Sequence, residues 1–286
     1  MISYIAEMFA FDFMQRALIV GILVSLCAAL LGVSLVLKRY SMIGDGLSHV
    51  GFGALAVAAA LGLAPLVVSI PVVVLAAFLL LRISESSSIK GDAAIAIIST
   101  GALAIGVLVV SLVPGMNADL VNYMFGSILS MTKGDVTLSV ILSALVLILF
   151  IVFYHRIFAI TFDETFAAAT GMRTKVYNLM IAFLTAITIV LGMRMMGTLL
   201  ISSLIIFPAL TAMRIFKKFR SVVICAAVVS VVCFMAGLLI SYLFATPTGA
   251  SIVAVNILMF VLFSFIRVCK SYKSISGVTP SEDRKI

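Results

Sequence analysis

Charged residues are scarce in this sequence. Only 10% of the 286 residues are Asp, Glu, Lys or Arg, whereas 64% are hydrophobic, and the mean hydropathy is +1.34. Soluble domains carry about 25% charged and about 45–50% apolar residues, so this composition excludes an ordinary soluble enzyme. It also excludes a disordered chain, which combines low hydrophobicity with high net charge. We therefore expect an all-α polytopic membrane protein.

Sequence motifs of catalysis are missing as well. The chain has no G-x-x-x-x-G-K-[ST] loop, so it cannot itself hold the phosphates of ATP. It has no H-E-x-x-H zinc motif and no second intramembrane aspartate for an aspartyl protease dyad. The four cysteines lie within or beside apolar runs and predict no disulfide framework. We predict no catalytic residue in this chain.

Long apolar runs are abundant, and a helix needs about 20 such residues to cross a bilayer. The predicted spans, which make residues 1–286 a single transmembrane domain, are 16–37, 46–64, 66–82, 93–113, 136–154, 176–193, 195–213, 221–244 and 250–268. Residues 117–130 are too short and too polar to cross. We predict that they form a re-entrant helix, buried in protein or bordering water.

The cations predict the orientation of these spans. With the C-terminus in the cytoplasm, sixteen of the nineteen Lys and Arg residues fall inside, and only Arg16, Lys133 and Arg194 fall outside. This distribution satisfies the positive-inside rule for nine spans with the N-terminus outside. An eight-span arrangement would move the N-terminus to the other side. Residues 269–286 are predicted to be a short polar cytoplasmic tail.

A glycine-rich segment, residues 44–53, places two ionisable side chains at membrane depth. Asp45 opens the second span, and His49 lies four residues later, so on a helix they share one face. Burying such groups in hydrocarbon costs several kcal/mol, which favours a functional role. A carboxylate and an imidazole suit a divalent metal ion such as zinc or manganese. The structural alternative is a pair that only bonds backbone amides near the interface.

Two ligands are fewer than the four that a zinc site typically has. A two-fold dimer with this helix face on its axis would supply two aspartates and two histidines. The ligand count therefore predicts a homodimer with a shared path for the ion.

The loop between the fifth and sixth spans is predicted to contain a short cytoplasmic helix. Asp163 and Glu164 suit its beginning because acidic side chains complement the helix dipole, and Gly171 suits its end. The apolar side chains that it would leave exposed are Phe162, Phe166 and Met172. Such a helix is suited to docking in a groove of another protein. The alternative is a helix that lies on the membrane surface.

Two further segments carry weaker signals. Residues 197–212 combine small hydroxyl side chains, which suit contact between helices, with Pro208, which kinks a helix. Packing is the simpler interpretation of each residue there. Residues 247–251, with the sequence Pro-Thr-Gly-Ala-Ser, are predicted to be an outside turn.

In this order, the four segments resemble the membrane permease subunit of zinc/manganese-type ABC importers. The matching stretches are residues 38–49, 163–172, 197–212 and 247–251. The likeness extends from about Phe13 to the end of the last span. It implies a type II ABC importer-like permease with eight to nine helices in a bacterial plasma membrane.

The resemblance also implies residue roles and partners. The family's metal-coordinating pair falls on Asp45 and His49. Its ATPase-coupling helix falls on Asp163, Glu164, Phe166, Ala167 and Gly171. The implied partners are a second permease, two cytoplasmic ATPase subunits and an extracytoplasmic metal-binding protein, with no nucleic acid. Zinc or manganese would be the transported ion, zinc first, with no permanently bound cofactor.

An ion-coupled secondary transporter of metal or small solute is the alternative function. Such transporters hold several polar or charged residues and broken helices near the midplane. Here only Asp45 and His49 qualify clearly, which is too few for a proton relay coupled to a substrate.

Overall fold

The computed structural model describes residues 11–86, 91–114, 126 and 132–276. All regular elements in these ranges are helices, which confirms the all-α prediction. In chain order they are α1 (Asp12–Leu37), α2 (Ile43–Ala60), α3 (Pro65–Ser86), α4 (Gly91–Leu112), α5 (Lys133–Val152), α6 (Tyr154–Phe162), α7 (Glu164–Ala169), α8 (Thr174–Met196), α9 (Thr198–Ile215), α10 (Phe219–Phe244) and α11 (Thr248–Ser276).

Within the described ranges, eight helices are long and apolar enough to cross a membrane: α1 to α5, α8, α10 and α11. The predicted span at 195–213 corresponds to α9, whose apolar stretch Leu200–Ile215 is shorter than those eight. That apolar stretch rises only about 24 Å, whereas the hydrocarbon core is about 30 Å thick. The chain is a multi-pass membrane protein, and α9 is its short helix.

The turn between α8 and α9 consists of Gly197 alone. Its backbone angles, φ 84° and ψ 165°, lie in a region that is essentially restricted to glycine. Helix α8 therefore runs three residues beyond its predicted end, and α9 folds back against it. Gly192 lies against Ile201, so the two helices form a hairpin.

The helices form an inner group and an outer group. In α1, α2 and α8, 67%, 72% and 78% of the residues in the apolar spanning stretch are buried. In α5 and α11 the buried share is only 22% and 11%. Helix α9 contacts α1, α2, α8, α10 and α11. Its buried apolar side chains are Leu200, Ile201, Leu204, Ile205, Ala209 and Ala212. The short helix α9 therefore sits at the centre of the bundle.

Close approach of α9 to α1 and α2 depends on glycines. A Cβ on Gly32 of α1 would lie 2.0 Å from the carbonyl oxygen of Ile205. A Cβ on Gly44 of α2 would lie 3.1 Å from Cδ1 of the same isoleucine. Small residues allow such backbone contact between membrane helices. Helix α9 is therefore held between α1 and the beginning of α2.

Two predictions fall at the edges of the described chain. The re-entrant helix predicted for residues 117–130 lies outside the described residues except for Gly126. The predicted tail begins at 269, but α11 continues to Ser276, so the first part of that segment belongs to a helix. Residues 277–286 lie outside the described residues.

Candidate functional site

The predicted metal pair lies in the first two turns of α2. Asp45 is the third residue of the helix, and His49 follows one turn later. The Nε2 atom of His49 is 3.7 Å from Oδ2 of Asp45, so the two side chains meet on one helix face, as predicted. This separation is too long for a hydrogen bond. An ion that both side chains coordinate could lie beside them.

A third side chain approaches from α9. Ser202 lies one turn after the Gly197 hairpin, and its hydroxyl donates a hydrogen bond of 3.3 Å to Oδ1 of Asp45. It also lies 3.3 Å from the carbonyl oxygen of Thr198. The hydroxyl therefore orients the carboxylate and leaves Oδ2 directed towards His49. Nothing in the local sequence pairs Ser202 with Asp45, because 157 positions separate them.

The polar groups of this site are incompletely satisfied in the single chain. Nδ1 of His49 is buried and has no hydrogen-bond partner among the described residues, and the same holds for the hydroxyls of Thr198 and Ser203. Buried polar atoms are normally paired, and leaving one unpaired costs about 1–3 kcal/mol. These buried atoms therefore call for a partner enclosed in the bundle, such as an ordered water molecule.

The site also remains partly open. The Asp45 side chain is 39% exposed and that of His49 is 19% exposed, although α2 is among the most buried helices. An ionised carboxylate exposed to lipid would be costly, so this face must border water or another protein chain. Among the described residues, no cluster of three or more His, Cys, Asp or Glu could hold a metal ion. In this part of the chain the site therefore contains two side chains of these types, Asp45 and His49.

The short helix predicted between the fifth and sixth spans is present as α7. The side chain of Asp163 accepts a hydrogen bond of 2.8 Å from the backbone N–H of Phe166, which caps the helix as expected for this residue type. Gly171 follows the helix with φ 84°, a conformation that favours glycine. The sequence prediction of both ends of α7 is therefore confirmed.

The two faces of α7 differ. Phe166 is 65% exposed, whereas Ala167 is buried against Ile160 and Tyr177. Met172 packs against this same cluster and is only partly exposed, so the expectation of an exposed side chain holds only in part at this position. Phe162 is exposed but also contacts the ring of Phe219. The outward apolar surface of α7 therefore centres on Phe166.

The inner face of α7 carries a polar network that sequence reasoning missed. Nζ of Lys38, at the end of α1, lies 3.0 Å from Oε2 of Glu164. The same ammonium donates to Oδ1 of Asn178 on α8, and Nδ2 of Asn178 donates to Oε1 of Glu164 at 2.7 Å. The only sign of this network in the sequence is Asn178, a side-chain amide near the beginning of the apolar helix α8. It indicates a buried polar contact but does not indicate the partner.

A second ion pair links helices on the opposite side of the bundle. Arg194 of α8 lies 3.2 Å from Oδ2 of Asp135, which also forms a capping box with Thr132 at the beginning of α5. Both members were placed outside by the sequence-based orientation. Lys38 and Glu164, which also touch, were both placed inside. These contacts are consistent with the predicted sidedness.

Comparison with known proteins identifies the class. The model of the ABC 3 transport family matches residues 10–267, so the chain belongs to this family. It is 30% identical over 270 residues to the manganese import system permease protein ScaB of Streptococcus gordonii, covering 94% of this chain and 97% of ScaB. It is 31% identical over 257 residues to the high-affinity zinc uptake system membrane protein ZnuB of Haemophilus influenzae, covering 90% and 98%.

A solved structure agrees with this assignment. The chain is similar to PsaBC from Streptococcus pneumoniae in complex with Fab, with a TM-score of 0.85 and 30% identity. The match covers 97% of this chain and 100% of that chain. The chain is therefore an ABC-type metal permease of the plasma membrane, as the motif resemblance predicted.

Proposed function

We propose that this chain is the permease subunit of an ABC importer that carries a divalent transition metal ion into the cytoplasm, with zinc as the first candidate and manganese as the second. The observation that carries the proposal is the Asp45–His49 pair, which a hydroxyl of α9 orients and which stays partly exposed at membrane depth. Relatives with manganese and zinc systems in their names support both metals.

The ion passes a site that two permeases share. One chain contributes Asp45 and His49, and a two-fold partner contributes the same pair, which brings the count to the four ligands typical of zinc. The partly exposed side chains of Asp45 and His49 support a second chain on this face. Such a site binds the ion without enclosing it, as a conduction path requires.

Two features of the chain indicate its partners: it has no phosphate-binding loop, and it exposes Phe166 on α7. Because the sequence has no phosphate-binding loop, ATP hydrolysis takes place on two separate cytoplasmic ATPase subunits. Helix α7 docks each ATPase through Phe166, whose ring projects from the bundle. An extracytoplasmic metal-binding protein delivers the ion to the outer side.

The test is metal uptake by proteoliposomes that contain the permease with its ATPase. Asp45→Asn removes the charge at nearly constant size, and His49→Ala removes the nitrogen ligand, so each should abolish ATP-driven uptake while the ATPase still co-purifies. Asp12→Asn and His155→Ala are matched controls, because both side chains are exposed and lie outside the site. Normal uptake by both site variants would refute the proposed pathway.

The identity of the ion is tested on the same preparation. Zinc, manganese and iron are compared for stimulation of ATP hydrolysis in the presence of the delivery protein. Stimulation by zinc at the lowest concentration supports the first candidate. Stimulation by manganese alone would replace it with the second. Uptake that proceeds without ATP would instead favour an ion-coupled transporter.

A further inference from the structure

The Lys38–Glu164–Asn178 network connects α7, the helix proposed to dock the ATPase, with α8 and with the end of α1, which leads into α2. We propose that Lys38 and Asn178 are positioning residues that couple the movement of α7 to the Asp45–His49 site. The inference rests on the proposed function, because it assumes that an ATPase acts on α7.

The network is a closed triangle of three side chains from three helices. Glu164, the first residue of α7, accepts from both Lys38 of α1 and Asn178 of α8, and Lys38 also donates to Asn178. The side chain of Lys38 is only 9% exposed, and Asn178 is 7% exposed. The Glu164 side chain is 43% exposed, but its loss would leave the largely buried ammonium of Lys38 with only the Asn178 amide, so α7 cannot move away from α1 freely.

The connection from Lys38 to the metal pair is short. Lys38 caps the end of α1, and only residues 39–42 separate it from α2. The turn is well defined: the N–H of Tyr40 bonds the carbonyl of Leu35, the N–H of Arg39 bonds that of Val36, and Arg39 has φ 62°. This is the Schellman pattern of a helix end. A displacement of Lys38 therefore carries over to the beginning of α2.

The network also faces α2 across a small cavity. A cavity of about 20 Å³ lies between Lys38, Asn178 and the α2 residues Ile43 and Leu47. A void of this size holds about one water molecule. Leu47 lies between Asp45 and His49 in the chain and is fully buried. The beginning of α2 therefore has room for a small shift on the side that faces the network.

The experiment separates coupling from assembly. The complete importer is reconstituted in proteoliposomes with Lys38→Met or Asn178→Leu, and ATP hydrolysis and metal uptake are measured together. We expect the ATPase to co-purify and to hydrolyse ATP, while the number of ions moved per ATP falls about twofold to thirtyfold, the range of energetic coupling through such networks. Lys218→Met, at an exposed cytoplasmic lysine, is the matched control and should keep the wild-type ratio.

A charge swap adds a readout that a merely structural role does not predict. Lys38→Glu alone should uncouple hydrolysis from uptake. Adding Glu164→Lys should restore much of the ratio of metal uptake to ATP hydrolysis. The Asn178 amide has both a donor and an acceptor, so it can bond the lysine and the glutamate whichever of the two positions each occupies.

Three results would overturn the inference. The first is a wild-type ratio of uptake to hydrolysis in Lys38→Met and Asn178→Leu. The second is loss of ATPase binding in these variants, which would make the network a docking support. The third is a ratio of uptake to hydrolysis in the double variant Lys38→Glu, Glu164→Lys that is no higher than in Lys38→Glu alone. Failure of the proposed function is recognised separately, because the unmodified importer would then show no ATP-driven uptake.

Discussion

Substitution of Gly32 by alanine tests whether the contact between α1 and α9 positions the metal site. The added Cβ would lie 2.0 Å from the carbonyl oxygen of Ile205 and 2.9 Å from its carbonyl carbon. Because Cβ atoms essentially never approach closer than 3.0 Å, the two helices must separate by about 1 Å. The obstacle is backbone, so no side-chain rotation can relieve it.

The displacement has a defined consequence for the site. Ser202 lies one turn before Ile205 on α9, and its hydrogen bond to Asp45 is already long at 3.3 Å. A shift of about 1 Å would displace Ser202 relative to Asp45 and so disturb the bond that orients the carboxylate. Overpacking of this kind costs about 1–3 kcal/mol of folding free energy. We therefore expect Gly32→Ala to lower both the stability and metal uptake, while ATPase co-purification persists.

Gly101 provides the matched control. It also lies within a helix, α4, but nothing lies within 4 Å of its added Cβ. Alanine is favoured over glycine in a helix by about 0.5–1 kcal/mol, so Gly101→Ala should be neutral or slightly stabilising. The measurement is the free energy of unfolding in mixed micelles, with uptake in proteoliposomes. Equal stability of the Gly32→Ala and Gly101→Ala variants would refute the reasoning.

Two further predictions concern the hairpin and the docking helix. Gly197→Ala should destabilise the protein by about 1–3 kcal/mol and reduce uptake, because φ 84° with ψ 165° excludes a side chain; wild-type unfolding and uptake would contradict this. Phe166→Arg should abolish ATPase co-purification without loss of membrane insertion, because it places charge on the outward face of α7. Phe244→Arg, an equally exposed substitution at the outer end of α10, should leave co-purification intact. Retention of the ATPase by Phe166→Arg would exclude α7 as the docking surface.

The features that sequence analysis predicted well depend on neighbouring residues. Each predicted span corresponds to a helix, because membrane insertion depends on the summed apolarity of one segment. The i,i+4 pairing of Asp45 with His49 follows from helix geometry. The cap of α7 at Asp163 and its ending at Gly171 follow from the local conformations that these residue types favour.

The features that sequence analysis missed depend on distant residues. Gly32 and Gly101 look alike in their apolar runs, yet only Gly32 meets a backbone carbonyl. Which hydroxyl of the α9 segment reaches Asp45 depends on the one-residue turn at Gly197. Glu164 is recognisable as a residue of a helix beginning, but its bonds to Lys38 and Asn178 are not, because 126 and 14 positions separate it from these partners.

The difference between the features that sequence analysis predicted and those that it missed has a physical basis. Apolarity, helix periodicity and end capping act over a few residues and can be summed along the chain, so the sequence by itself determined the membrane class, the helices and the pairing of Asp45 with His49 on one helix face. Contacts between helices depend on how every side chain packs at once, and a shift of one turn replaces one set of neighbours with another. Only the tertiary structure therefore decided that α9 lies at the centre, that Ser202 orients Asp45, and that Lys38 joins α7 to the beginning of α2.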